Sequence, residues 1–191
     1  GSLGWMNYGD VPWRDGFCSL HYDWPFGILL NYLRTGDVRF LDLGRTMARH
    51  RASIDQSHDE SSSAPWRGGQ FYEKGKGHGD PFPPAISHTW IGGLLLDHLL
   101  NGDRDSVEAI DLSTAFAQRR DLPHWDGLWG ARIPGWGADL FLSRYDIFRD
   151  PADLKSATDI LARVEQIESS RLHGKRGFIA NRGAKPPHVK S

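Results

Sequence analysis

The chain has 191 residues, 39% of them apolar and 25% charged, with a formal net charge of -1 at neutral pH. That balance suits a globular domain with its own core and excludes a disordered, one-sidedly charged chain. No basic patch points to nucleic acid, and the longest apolar runs, Ile28-Leu29-Leu30 and Leu94-Leu95-Leu96, are far too short to span a bilayer. One cysteine, Cys18, excludes an internal disulfide framework without fixing the compartment. The chain enters on Gly1-Ser2-Leu3-Gly4-Trp5, with neither an initiator methionine nor a signal-peptide pattern. Both ends therefore read as those of a fragment, and the missing leader carries no weight.

The first cluster of chemistry-bearing residues is Asn7-Tyr8-Gly9-Asp10, Trp13-Arg14-Asp15 and His21-Tyr22-Asp23-Trp24. A helix follows over 27–35, closed by Gly36 at the left-handed position that ends helices. Asp37 then caps a second helix over 38–53, where Phe40, Leu41, Leu43, Met47 and Ala48 recur near helical spacing. Residues 54–87 lose that periodicity and carry Asp55, His58, Trp66, Arg67, Tyr72, Glu73, His78 and Asp80 among glycines. A loop of such length in a compact domain is usually functional. Ser87 reads as an N-cap, and the run from Gly93 to Asp103 repeats the apolar pattern and closing Gly-Asp of 27–37. Asp103 caps the helix over 104–118. A weaker third copy runs from Ala138 to Pro151, with Asp150 as cap and Pro151 in a first turn that needs no N–H, and leads into 152–167.

Strand signals are nearly absent, so the fold class is all-α. The connections are long and unequal, which suits helical hairpins of an α/α toroid better than a solenoid of fixed period. In a toroid the starts of the repeated helices share one rim. His21, Tyr22 and Trp24 would then meet His88 and Trp90 at one mouth, with Trp136 joining them from before the third helix. The eight tryptophans and nine histidines concentrate in Gly-, Pro- and Asp-rich segments. A flat ring gives contact area at little entropic cost, so such tryptophans are expected to wall a ligand cavity. Bland readings stand beside this one: Asn7, Asp10 and Asp23 as turn or cap residues, and His98 as a packed or surface histidine.

An ordered set of motifs carries a family resemblance. It comprises Asn7-Tyr8-Gly9-Asp10, Tyr22-Asp23-Trp24, Met47-Ala48-Arg49-His50 running on to Asp55 and His58, Gly68-Gly69, and His78. Ser87-His88-Thr89-Trp90, Gly93-Leu94-Leu95 and Asn101-Gly102-Asp103 complete it. Over roughly residues 4–150 the chain resembles the C-terminal α/α toroid of exo-acting rhamnogalacturonan lyase-like proteins. The resemblance implies a ring closed by six hairpins, following an N-terminal barrel and a central β-sandwich. Three hairpins are legible here and the other domains are missing, so residues 1–191 read as a partial toroid from a larger multidomain protein. It further implies a polysaccharide partner and an extracellular or periplasmic location.

The leading expectation is a polysaccharide lyase that cleaves a uronate-containing glycan by β-elimination. That reaction needs the uronate carboxylate neutralised, a base for the C5 proton and an acid for the leaving oxygen. His88, His78 and Tyr72 are the candidates for proton transfer, with His58, His21 and Tyr22 as substitutes. Arg67 and Asn7 would neutralise the carboxylate, and Trp24, Trp90 and Trp136 would face the sugar. The runner-up is a glycoside hydrolase with two carboxylates about 5–10 Å apart, drawn from Asp10, Asp23, Asp55, Asp59, Glu73 and Asp80. A non-catalytic sugar-binding fragment is the third reading. No cofactor or metal is expected. As a side hypothesis, His58, His78, His88 and Asp80 could converge on a divalent cation, although their spacing matches no compact zinc motif.

Overall fold

The computed structural model describes residues 12–13, 16–17, 22–59, 65–71, 84–119, 122, 125 and 131–171. Their regular structure is helical apart from one short antiparallel ladder, β1 (Pro12–Trp13) on β2 (Gly16–Phe17), and an isolated bridge between Gln56 and Gln70. Six α-helices follow: α1 (Trp24–Thr35), α2 (Val38–His50), α3 (Gly92–Asn101), α4 (Arg104–Arg119), α5 (Arg132–Phe148) and α6 (Pro151–Arg171). The all-α class holds. The chain divides into two compact units, Gly1–Ala117 with α1 to α3 and nearly all of α4, and Gln118–Ser191 with α5 and α6.

The first two hairpins close by the chemistry that their Gly-Asp pairs dictate. Gly36 and Gly102 take φ of 71° and 65°, a region that costs a side chain, and their N–H groups satisfy carbonyls of Tyr32 and His98. Asp37 accepts from the Arg39 N–H, and Asp103 from those of Asp105 and Ser106. The Arg39 side chain also clasps Asp37, holding that carboxyl down at about 2. In the third hairpin Asp150 caps through the Ala152 N–H, with Pro151 opening α6. The residue in the glycine's place is Arg149, at φ 58°, whose guanidinium lies over the Tyr145 ring at 5.4 Å.

Two hairpins carry a polar tie at the same nine-residue spacing. Ser106 Oγ donates to Asp97 Oδ2 at 2.9 Å, and Arg144 donates to Asp153 Oδ2 at 2.6 Å. Asp97 is fully buried and also accepts from Asn101 at 2.7 Å. Burial raises its carboxyl above the ordinary range, and the two donors pull the other way.

Within the first unit α1 packs on α2 and on α3. A Cβ on Gly44 of α2 would meet Leu29 Cδ2 of α1 at 2.6 Å, so a larger residue there would force the buried Leu29 side chain to shift. Leu29, Ala48, Leu94, Leu95, Ile110 and Phe116 are buried, each large side chain stabilising by about 1.5–3 kcal/mol. In the second unit Ala138, Leu140 and Phe141 of α5 and Ala157, Ile160 and Ile167 of α6 are buried.

Two expectations about element limits need correction. The helix predicted over 38–53 ends at His50 and continues as a widened π-turn, Arg51–Asp55, in which the Gln56 N–H bonds the Arg51 carbonyl. The third helix starts at Arg132, so Pro134 and Trp136 lie inside α5. Proline is tolerated there because first-turn N–H groups have no helical partner. Within the described parts of the 54–87 loop the Ser57 N–H donates to the Gly69 carbonyl at 2.9 Å beside the Gln56–Gln70 bridge, and Ile86–His88 forms a 3₁₀ turn.

Candidate functional site

The start of α1 is fixed by Asp23. Its Oδ1 accepts from the Phe26 N–H at 3.3 Å, satisfying a donor that the helix itself leaves open. Its Oδ2 accepts from the Gly93 N–H at 3.0 Å, in the first turn of α3. In the second repeat Thr89 stands where Asp23 stands in the first. Thr89 instead donates to the Ala85 carbonyl, and Ile91 supplies no side-chain cap to α3. One carboxylate therefore serves both helix starts. The approach needs Gly93: a Cβ there would meet Asp23 Oδ1, the Phe26 nitrogen and Pro25 Cβ, all at 2.8 Å.

The π-turn supplies the charge that balances Asp23. Arg51 is 2% exposed and donates to Asp23 Oδ1 at 2.6 Å and to the Tyr22 carbonyl at 3.2 Å. At the other end of the π-turn, buried Asp55 lies 3.5 Å from buried His50. The starts of α1 and α3 and the end of α2 thus meet at one junction, held by an ion pair inside the protein.

The next layer is a buried amide network. Gln56 donates to the Gly68 and Ala109 carbonyls and to Ser113 Oγ, and Gln70 holds both the carbonyl and the N–H of Trp90. Gln70 reaches Ser113 as well, so the loop segments on either side of the bridge are tied to α4. At Gly68 the backbone passes so close to α4 that a Cβ would sit 2.0 Å from the Leu112 carbonyl oxygen. Neither glutamine carried a functional signal in the sequence. Glutamines are ordinarily surface residues, and only their burial reveals their part.

Around this scaffold the sequence-predicted residues fall into three groups. Tyr22, at 63% exposure, and Trp24, at 39%, present surface at the start of α1, next to half-exposed Phe26. His88 is half-buried in the 3₁₀ turn four residues before α3, with Nδ1 3.0 Å from Ser87 Oγ. Ser87 thus pairs with His88 and is not the cap of α3. His58 is exposed, its Nε2 2.6 Å from the Ala52 carbonyl, and Arg67 is half-buried in the turn before the bridge. Trp90 is 7% exposed: it is a core ring with its backbone bound on both sides, not a wall ring. Trp136, at 36% exposure, sits within α5 in the second unit. Asn7, His21, Tyr72 and His78 lie outside the described residues.

The acidic candidates divide in the same way. Asp23 and Asp55 are committed to Arg51 and His50, while Asp59 is exposed. Asp10, Glu73 and Asp80 lie outside the described residues. Of the residues weighed for a divalent cation, His58 and His88 are described, and no group of three potential ligands converges among the described residues. None of the described helices is long and apolar enough to cross a membrane. Compared with protein-family models, curated proteins and solved structures, the chain has no significant match.

Proposed function

We propose that the three hairpins belong to an α/α toroid and that the junction of α1, α2 and α3 forms the rim of a uronate-glycan lyase site. The observation that carries this reading is the double use of Asp23, which draws the starts of α1 and α3 together. Tyr22, Trp24 and His88 all lie within a few residues of that carboxylate's partners. Supporting it, Asp23 is held in an ion pair with Arg51, and Asp55 is buried beside His50. Neither is poised as the acid or nucleophile of a two-carboxylate hydrolase.

In the proposed reaction a base takes the C5 proton of the uronate, the C4–oxygen bond breaks, and a C4=C5 double bond forms. The leaving oxygen takes a proton from the acid. His88, His78 and Tyr72 are the residues proposed for the two proton transfers. Arg67 and Asn7 would neutralise the carboxylate, a stabilisation that grows as charge accumulates in the transition state. Tyr22 and Trp24 offer the sugar exposed aromatic surface.

The test is incubation of the protein with pectic and glycosaminoglycan chains while following the ultraviolet absorbance of an unsaturated uronate. Growth of that band supports elimination, and new reducing ends without it would assign a hydrolase. His88→Ala should lower turnover by about 10²–10⁴-fold with little change in melting temperature. A variant of normal turnover removes His88 from the site.

A further inference from the structure

Within the Gln118–Ser191 unit lies a cleft of about 320 Å³ that none of the sequence-predicted residues among those described lines. Its floor is apolar and buried: Phe141 is 0% exposed, Trp125 5% and Ile160 8%, with Pro134 and Leu122 beside them. Helix α6 contributes Ser156, Asp159, Ile160 and Arg163, spaced to share one helix face. Three of these are polar and edge the apolar floor.

The charges at that edge are unequal in their commitments. Asp159 is held by Lys155 at 2.5 Å, a turn earlier on α6. Gln118 and Ser156 are hydrogen-bonded to one another at 3.4 Å. The Arg163 guanidinium donates to a neutral partner, Gln166 Oε1, at 2.8 Å, and no carboxylate among the described residues pairs with it. A guanidinium offers a planar fork of donors that matches a carboxylate. A volume near 300 Å³ is at the small end of ligand pockets and suits a single ring. One cation among the described lining residues, with Asp159 on the same helix face, favours a singly charged anion over a dianion.

We propose that this cleft binds a small monocarboxylate carried on a flat, largely apolar ring, its body against Trp125, Phe141 and Ile160 and its carboxylate at Arg163. Two sources share that chemistry: an aryl carboxylate and a uronic acid, whose ring has apolar C–H faces. The inference does not depend on the lyase reading, because it uses no residue of that site.

Ligand-detected NMR with benzoate, galacturonate and the neutral benzyl alcohol as probes tests the proposal. At least one of the two acids should bind the wild-type protein. Binding of benzoate alone assigns an aryl ligand, and binding of galacturonate assigns a sugar acid. Arg163→Met should weaken the acid by roughly tenfold or more, the equivalent of one charge-assisted hydrogen bond, while Arg163→Lys retains part of the affinity. Benzyl alcohol should be indifferent to both changes. Ser156→Leu, which places bulk in the cleft, should abolish acid binding. Arg163 is exposed, so its variants should melt like the wild type. Failure of both acids to bind, or equal binding by the wild type and Arg163→Met, overturns the proposal.

Discussion

Replacing Asp23 by alanine removes three interactions at once. The Phe26 N–H loses its cap, the Gly93 N–H loses its side-chain acceptor, and Arg51 loses its carboxylate. The Asp23 side chain is 14% exposed and that of Arg51 2%, so water cannot replace the lost partner. Leaving one member of a buried ion pair uncompensated costs about 3–5 kcal/mol. Loss of an N-cap adds about 1 kcal/mol, although the two terms share one carboxylate and overlap. A total of about 4 kcal/mol is expected, and at roughly 4 °C or more per kcal/mol for a unit of this size the melting temperature should fall by about 15 °C. Asp23→Asn should be nearly as damaging, because one amide oxygen cannot accept from Phe26, Gly93 and Arg51 together, and its NH2 faces a donor. The decisive assay is a double-mutant cycle with Arg51→Met, followed by urea and thermal unfolding. Removing both partners should cost less than the sum of the single changes, with a coupling of about 2 kcal/mol. An Asp23→Ala variant that loses only about 1 kcal/mol, as an ordinary cap would, refutes the junction argument. Strict additivity with Arg51→Met does the same.

Gly93→Ala should destabilise by about 1–3 kcal/mol, since its Cβ would meet three atoms at 2.8 Å; an unchanged urea midpoint would show that the two helix starts have room to part. Trp90→Ala should cost about 3–5 kcal/mol, as removal of a core ring does, whereas an unaltered melting temperature with weakened sugar binding would return Trp90 to the cavity wall. Asp97 has its carboxyl raised by burial, so the folded state holds that proton at pH values where the unfolded chain has released it. Its contribution to stability therefore falls as pH rises from the ordinary carboxylate value through the raised one. Asp97→Asn should remove that slope, and parallel wild-type and variant stability curves between about pH 3 and 7 would contradict it.

The site was legible only where its residues stand close together in the chain. The setting of Trp24 points to a ring that faces a ligand, and Trp24 is exposed, as is Tyr22 beside it, a substitute for proton transfer. Trp90 has a similar setting and is buried, with its backbone groups taken up by Gln70, twenty residues away. Composition around a tryptophan does not report what covers its ring. Trp136 was set before a helix that already contains it. Glycines and proline weaken intrinsic helix propensity, and packing overrides that local preference.

By itself, the sequence determined the all-α class and the hairpin turns. A glycine at positive φ followed by an aspartate cap acts over four or five residues, so the turns at Gly36-Asp37 and Gly102-Asp103 are set by their own local chemistry. It also located the aromatic- and histidine-rich segments in which the candidate site lies. Only the tertiary structure decided what Asp23 does. Read alone, it is one more helix cap, yet its other partners stand 28 and 70 residues away, at Arg51 and Gly93. The fate of a buried charge depends on which opposite charge and which open N–H the fold brings within 3 Å, and those distances exist only once α1, α2 and α3 have packed.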